Sequence, residues 1–244
     1  MSTFYIHRYP YIRLIIPWIT GVFCGDHFFD RSWAPLCGIL FFGFFAALSF
    51  ALYFLKRYSH HIKEALKEFT HFGMDGGLSF AQEHEVLDRE EFRMTELLRG
   101  LHGKAVRQLG SSGGGNHFVE FGEITLKEKN VLNLPEGSYL ALLSHSGSRG
   151  LGAAIAKHYS LLAREVCRLP REAQHFAWLD LNTEEGQEYW MSMNLAGDYA
   201  RACHERIHLN LAKALGLKPL ANVNNHHNFA WKEERIPGRM SIVH

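Results

Sequence analysis

The sequence has little cysteine and almost no excess charge. Its four cysteines, among 244 residues, show neither the paired spacing of a zinc site nor that of a disulfide framework, which indicates a reducing compartment. The formal net charge is +1, from 26 basic and 25 acidic residues. A domain that binds nucleic acid through overall positive charge is therefore excluded, and any such contact must come from a local patch.

Charge is missing altogether from residues 33–55, which are rich in phenylalanine, leucine and alanine. An uncharged apolar helix of this length can span a bilayer, and Lys56 and Arg57 follow it as a basic stop on the cytoplasmic side would. The sequence therefore predicts that residues 33–55 anchor the chain in the inner membrane, with the larger part in the cytoplasm. The alternative is a buried helix, and whether residues 11–28 also span the membrane stays open.

The first 57 residues differ in character from the rest. The segment YPYIRLIIP at 9–17, with Gly21, Gly25 and Asp26, resembles the start of ComEC-type DNA-uptake membrane proteins. The resemblance implies that the chain joins two unrelated pieces. A natural fusion, a disrupted gene and an artefact of sequence assembly are all compatible with that junction.

Two loops of small residues carry histidines. The loop SSGGG at 111–115 leads through Asn116 and His117 into an apolar run, and the loop SHSGSRG at 144–150 follows the apolar run 139–143. A strand, a glycine-serine loop and a helix in succession direct backbone N–H groups at an anion. The guanidinium fork of Arg149 also suits a phosphate.

A third pair of histidines, His226 and His227, lies in the asparagine-rich stretch 224–228. Neutral imidazole is a common ligand of manganese and zinc, so three histidines from separate loops make a candidate metal site. The alternative, an ordinary structural histidine at each position, stays open because the chain contains 16 histidines.

These motifs carry a family resemblance. The segments GGGNHFVE at 113–120, HSGSRGLG at 145–152 and HHN at 226–228 together resemble RtcB-type RNA-splicing ligases, over about residues 60–244. The resemblance implies a ligase that depends on GTP and Mn²⁺. It would join RNA ends bearing a 3′-phosphate or a 2′,3′-cyclic phosphate to 5′-hydroxyl ends, in tRNA splicing or RNA repair. Its partners would be tRNA halves or broken RNA.

The resemblance also implies roles for individual residues. The Mn²⁺ ligands would be His117, His145 and His227, and Arg149 would hold an RNA phosphate. Glu120, an acceptor-only carboxylate, would receive hydrogen bonds from a guanine edge. The residues implied in GTP binding are Asn116, His117, Phe118, Val119, Glu120, His227 and Asn228.

Two motifs of that family do not occur in the sequence. One is the Asp-x-Gly-Cys-Gly metal motif. The other is a later His-Gly-Ala-Gly motif whose histidine receives GMP in the family, and which would lie beyond His244. The expectation is an incomplete and inactive ligase, with no catalytic residue assigned within the chain.

Two other functions compete with a ligase. One is a membrane-anchored protein that binds nucleotide or metal without catalysis. The other is a metallohydrolase, because residues 204–208 spell HERIH, a match to the HExxH motif of zinc hydrolases. A five-residue motif of this kind has many false matches.

The predicted fold class is α+β: a partial RtcB-like mixed α/β domain behind an N-terminal transmembrane helical segment. The predicted domains are a membrane-like segment at 1–57, a linker with an amphipathic helix at 58–75, and the partial ligase domain at 76–244. Periodicity and turn residues predict helices over 60–72, 151–169 and 184–215, and another helix to about Leu101 that Gly103 ends. Strands are expected near 118–121 and 139–143.

Overall fold

A four-stranded antiparallel sheet organises the fold. The computed structural model describes residues 2–8, 34–73, 76–226, 229–236 and 239–243. The strands are β1 (Ser2–Arg8), β2 (Phe118–Leu126), β3 (Gly137–His145) and β4 (Ala221–Asn225), in the spatial order β2-β3-β1-β4. β1 is formed by N-terminal residues that are distant in sequence from the other strands, and it pairs with both β3 and β4.

One row of the sheet joins the ends of the strands that carry the histidine motifs. Phe118 pairs with His145, His145 pairs with Ser2, and Ser2 pairs with Asn225. Because paired residues of neighbouring strands lie about 5 Å apart, the loops at 111–117, 146–148 and after Asn225 all meet the same end of the sheet.

The helices lie around this sheet. They are α1 (Ala34–Phe69), α2 (Glu91–Met94), α3 (Glu96–Gln108), α4 (Arg149–Val166) and α5 (Glu184–Leu215). Short 3₁₀ turns occur at Glu85–Asp88 and Arg171–Phe176. A separate two-stranded hairpin is formed by β5 (Trp231–Ile236) and β6 (Arg239–Val243).

α5 contributes buried residues to two hydrophobic core clusters. The hydroxyl of Thr183 caps its first turn by accepting from the N–H of Gly186, and Gly216 ends it in the left-handed conformation, with φ 65°. Leu195 and Tyr199 pack with α3 and α4 in one buried cluster. Ile207 and Leu211 form a second cluster with residues of α1, β2 and β3.

α1 corrects the prediction for the N-terminal part. It runs without a break from Ala34 to Phe69, so the helix predicted at 60–72 is the last part of a longer one. Ala65, Leu66 and Phe69 pack into the second cluster, beside α5. No helix in the described part of the chain is long and apolar enough to cross a membrane, so the span predicted at 33–55 is not supported.

The mixed α/β architecture and most elements of the domain are confirmed, but the third helix ends later than predicted. α3 continues through Gly103 to Gln108, because Leu98 and Ala105 on either side of that glycine are both buried in the first cluster. Burial of this face outweighs the roughly 1 kcal/mol that an internal glycine costs a helix.

Candidate metal centre

His117 and His145 lie side by side at the end of the sheet. His117 immediately precedes β2, and His145 is the last residue of β3. Their ring centres are 6.0 Å apart with 58° between the planes. Two imidazoles that each bind one ion at about 2.1 Å place their ring centres about 5–6 Å apart, so this pair has the spacing of two ligands of one metal.

The surroundings of His117 favour a neutral, ligating imidazole. Its Nδ1 is buried and makes no hydrogen bond of normal geometry within the described residues. Burial, and then the charge of Arg149, lower the pKa of His117 below its usual value. Metals bind the neutral ring, so both effects keep this side chain ready to bind a metal near neutral pH.

Gly113 makes room for His117. Its φ is 110°, a conformation that other residues rarely adopt, and a Cβ there would collide with Nδ1 of His117 and Nη1 of Arg149. The glycine loop therefore lets the backbone approach both functional side chains closely.

Arg149 is the first residue of α4, and most of its guanidinium donors make hydrogen bonds within the protein. Its Nε donates to the hydroxyl of Ser111 at 2.9 Å, and its Nη2 donates to the carbonyls of Gly73 and Gly76 at 2.6 and 3.0 Å. The side chain is 9% exposed, and burial lowers the pKa of the guanidinium. The predicted phosphate contact is thus limited to Nη1, which lies on the Gly113 and His117 side.

The residues after His117 alternate between two faces of β2. The ring of Phe118 stacks on that of His145, with centres 5.5 Å apart and planes 15° apart. Val119 packs on the opposite face, against the second core cluster. Asn116 and Glu120 are exposed, and Glu120 lines a groove of about 380 Å³ between β2 and α1.

The third histidine loop starts at the same end of the sheet. His226 follows β4 directly, and its ring contacts that of Phe229 at 5.1 Å. Phe229 lies over Gly197 of α5, where a Cβ would come within 2.8 Å of Cε2 of the ring. The predicted ligand His227 and its neighbour Asn228 lie outside the described residues.

The residues present fit a metal only in part. Within the described ranges no group of three or more histidine, cysteine, aspartate or glutamate side chains is arranged to hold a metal ion. The pair of His117 and His145 has suitable spacing and donor chemistry. His227, the third ligand that the sequence predicts, lies outside those ranges.

The HExxH histidines do not form a zinc site. His204 and His208 share one partner, the hydroxyl of Ser144, at 2.5 Å from Nδ1 of His204 and 2.7 Å from Nε2 of His208. All three side chains are fully buried. Burial lowers the pKa of each histidine to about 3, so both rings are neutral at physiological pH.

Glu205, the would-be general base of that motif, points elsewhere. Its carboxylate lies 3.0 Å from Nε2 of His84 and 4.0 Å from Nε of Arg201. A metallohydrolase needs this carboxylate beside the metal, so the geometry does not support the hydrolase alternative.

Sequence reasoning missed the residues that support the site. Ser144 and Ser146 flank His145 and bond to α5 and to the carbonyl of Ser112, whereas the sequence suggested only a small-residue loop. The signal was present in Ser-His-Ser, because alternation along a strand places both serines on the face opposite to the histidine.

A comparison with protein families identifies one match. A family model described as tRNA-splicing ligase RtcB matches residues 49–244. The match begins inside the segment predicted to resemble ComEC-type proteins, and that resemblance of residues 1–57 is not supported.

Curated relatives carry the same description. A tRNA-splicing ligase RtcB of Methanococcus maripaludis is 26% identical over 186 residues, which are 68% of this chain and 37% of the relative. One of Methanocaldococcus jannaschii is 28% identical over 193 residues, 72% of this chain and 19% of the relative. One of Pyrococcus abyssi is 33% identical over 107 residues, 41% and 12% respectively. The chain thus spans well under half the length of these relatives.

Proposed function

Because the chain belongs to the RtcB family of tRNA-splicing ligases, we propose that it carries the part of an RNA ligase that holds Mn²⁺ and GTP. That the substrate is RNA is likewise a proposal, which the family supports. The cofactors, the joining of 3′-phosphate or 2′,3′-cyclic phosphate ends to 5′-hydroxyl ends, and a location in the cytoplasm are proposals for this chain.

The observation that carries the proposal is the pairing of His117 with His145. The residue before β2 and the last residue of β3 place two imidazoles at the spacing of two ligands of one ion, and burial lowers the pKa of one of them, His117. The buried Nδ1 of His117 makes no hydrogen bond of normal geometry within the described residues, as expected of a ring atom whose partner is a bound ion. His227 completes the proposed ligand set.

A bound Mn²⁺ would supply positive charge that stabilises phosphate oxygens during transfer. The protein residues orient the groups around it. Phe118 holds the ring of His145 by stacking, and Glu120 presents acceptors to the donor edge of guanine. Asn116, His227 and Asn228 complete the proposed GTP pocket, together with Val119.

Arg149 would contribute to RNA binding through Nη1 alone. Its Nε donates to Ser111 and its Nη2 donates to the carbonyls of Gly73 and Gly76, so a phosphate would be met by one end of a guanidinium that is already fixed. A fixed donor orients a phosphate at low entropic cost.

Nucleotide binding provides the test. We expect the protein to bind GTP in the presence of Mn²⁺ and to prefer it to ATP. Glu120→Gln should abolish that preference, because an amide offers a donor where the guanine edge also donates. The exposed Glu172 on the 3₁₀ turn allows Glu172→Gln as the matched control. Equal binding of ATP and GTP by the wild-type protein would contradict the proposed site.

A further inference from the structure

A chain of hydrogen bonds runs behind His145. Ser144 lies between Leu143 and His145 at the end of β3, and its hydroxyl contacts one ring nitrogen of His204 and one of His208 on α5. Nε2 of His204 is also 3.2 Å from the carbonyl oxygen of Ser146. The two serines on either side of His145 are therefore both bonded to the same helix.

The direction of each hydrogen bond follows from the chemistry of the partners. A carbonyl oxygen only accepts, so Nε2 of His204 carries the proton and donates to Ser146. In a neutral ring Nδ1 of His204 is then an acceptor, and the hydroxyl of Ser144 donates to it. The oxygen of Ser144 accepts in turn from Nε2–H of His208. A hydroxyl with one donor and two acceptor sites satisfies this order without conflict.

The same chain reaches the glycine loop. The hydroxyl of Ser146 donates to the carbonyl of Ser112, which directly precedes Gly113 and the loop that positions His117. Helix α5, the end of β3 and the loop before β2 are thus joined by consecutive hydrogen bonds between fully buried or nearly fully buried groups. These links fix the backbone on both sides of His145 and the start of the loop that carries His117.

We propose that Ser144, His204 and His208 are positioning residues that set the distance between His117 and His145. This inference rests on the proposed function, since it concerns the same two imidazoles. The histidines of the HExxH match thereby acquire a role that needs no metal of their own. Side chains behind a metal ligand typically change metal affinity by about 10–100-fold when they are lost.

Mn²⁺ titration of the whole chain tests the proposal with Ser144→Ala. We expect the dissociation constant of Ser144→Ala for Mn²⁺ to be about tenfold or more above that of the wild type. Ser144→Thr retains the hydroxyl and should bind close to the wild-type level. Ser192→Ala is the matched control, because Ser192 is also a fully buried serine, lies on α5 and is hydrogen-bonded to the hydroxyl of Tyr159. It should leave Mn²⁺ binding unchanged.

A second pair of variants covers the case in which Ser144→Ala does not fold. His208→Gln keeps an N–H donor for Ser144, whereas His208→Leu removes it. Weaker Mn²⁺ binding by the leucine variant alone would support the proposal. Equal binding by both, at the wild-type level, would overturn it.

His117→Ala separates this inference from the proposed function. If His117→Ala binds Mn²⁺ like the wild type, the metal site itself is wrong. The other outcome is that His117→Ala weakens Mn²⁺ binding, whereas Ser144→Ala binds Mn²⁺ normally and shows a thermal unfolding transition, which proves that it is folded. In that case only the positioning role is wrong.

Discussion

Phe118 and His145 face each other across β2 and β3, and their rings stack at 5.5 Å with only 15° between the planes. Phe118 directly follows the candidate ligand His117, so the stack connects that ligand to the other candidate ligand, His145. It restrains the rotation of the His145 ring from the open side of the site, whereas the hydrogen bonds of Ser144 and Ser146 fix the backbone from the buried side.

Removal of the Phe118 ring should therefore weaken metal binding more than it weakens the fold. Phe118 is 38% exposed, so Phe118→Ala should lower the free energy of unfolding by only about 1–2 kcal/mol. Mn²⁺ affinity, measured by calorimetric titration, should fall several-fold. Phe176→Ala, at a ring that is 70% exposed, is the control and should change neither quantity by much. Unaltered Mn²⁺ affinity in Phe118→Ala would show that the stack has no role.

Gly113 is expected to tolerate no side chain. Gly113→Ala combines an unfavourable φ of 110° with a collision against His117 and Arg149, and should cost about 1–3 kcal/mol of stability and most of the Mn²⁺ affinity. Gly114→Ala is a strict control one residue away, because among the described residues a Cβ there meets only Cα of Gly73, at 4.0 Å. Thermal unfolding and Mn²⁺ titration of both variants decide the matter. Similar behaviour of the two would contradict the close approach.

The buried histidine pair predicts loss of stability in acid. The pKa values of His204 and His208 lie near 3 in the folded protein, against an ordinary value of 6.5, because burial disfavours their charged forms. The unfolded chain therefore takes up more protons as the pH falls. Their contribution to stability is complete above pH 6.5 and is lost progressively from there toward pH 3.

Urea unfolding at a series of pH values measures this effect. Below pH 6.5, each of the two histidines contributes at most about 1.4 kcal/mol per pH unit to the slope of the free energy of unfolding against pH. His208→Gln removes one titrating group and should reduce the slope by up to that amount. A free energy of unfolding that stays constant from neutral pH to about pH 4.5 would mean that these rings are not buried as neutral groups.

Glu205 should be dispensable for metal binding. Its contacts with His84 and Arg201 lie at the surface of α5, so Glu205→Gln should cost less than about 1 kcal/mol of stability and leave Mn²⁺ and Zn²⁺ affinity unchanged. Asp198→Asn is the control, since Asp198 also lies on α5 and its carboxylate pairs with Arg89, which lies outside that helix. A selective loss of Zn²⁺ binding or of peptide hydrolysis in Glu205→Gln would revive the metallohydrolase hypothesis.

The sequence also predicts that the 244 residues form no covalent GMP adduct. The family's His-Gly-Ala-Gly motif does not occur in the sequence, so no histidine is assigned to take GMP. Labelled GTP with Mn²⁺, followed by denaturation, should leave no label on the protein. Label that stays bound through denaturation would show that another histidine serves as the nucleophile.

Local patterns predicted much of this fold. The apolar run after the first glycine-serine loop became β2, and the run before the second became β3. The helix predicted at 184–215 is α5, and the structure adds Thr183 as its N-terminal cap. These features depend on neighbours in sequence. The end predicted at Gly103 was wrong because burial of Ala105, a tertiary effect, decided it.

Non-local contacts were beyond local patterns. No periodicity indicates that Ser2–Arg8 inserts between β3 and β4, or that Ser144 meets two histidines about 60 residues later. The histidines of the HExxH match had the spacing of metal ligands, but spacing on one helix does not reveal what lies opposite. The candidate site was predicted through its motifs, and its supporting hydrogen bonds emerged only from the structure.

Pulsed electron paramagnetic resonance of bound Mn²⁺ tests the central claim most directly, because it detects nitrogen nuclei in the coordination sphere. With ¹⁵N-labelled histidine, the wild-type protein should show coupling to imidazole nitrogen. That coupling should decrease in His117→Ala and in His145→Ala and stay unchanged in His158→Ala, a variant at an exposed position on α4. Mn²⁺ coordinated only by oxygen, with the same spectrum in all four proteins, would contradict a metal site built on His117 and His145.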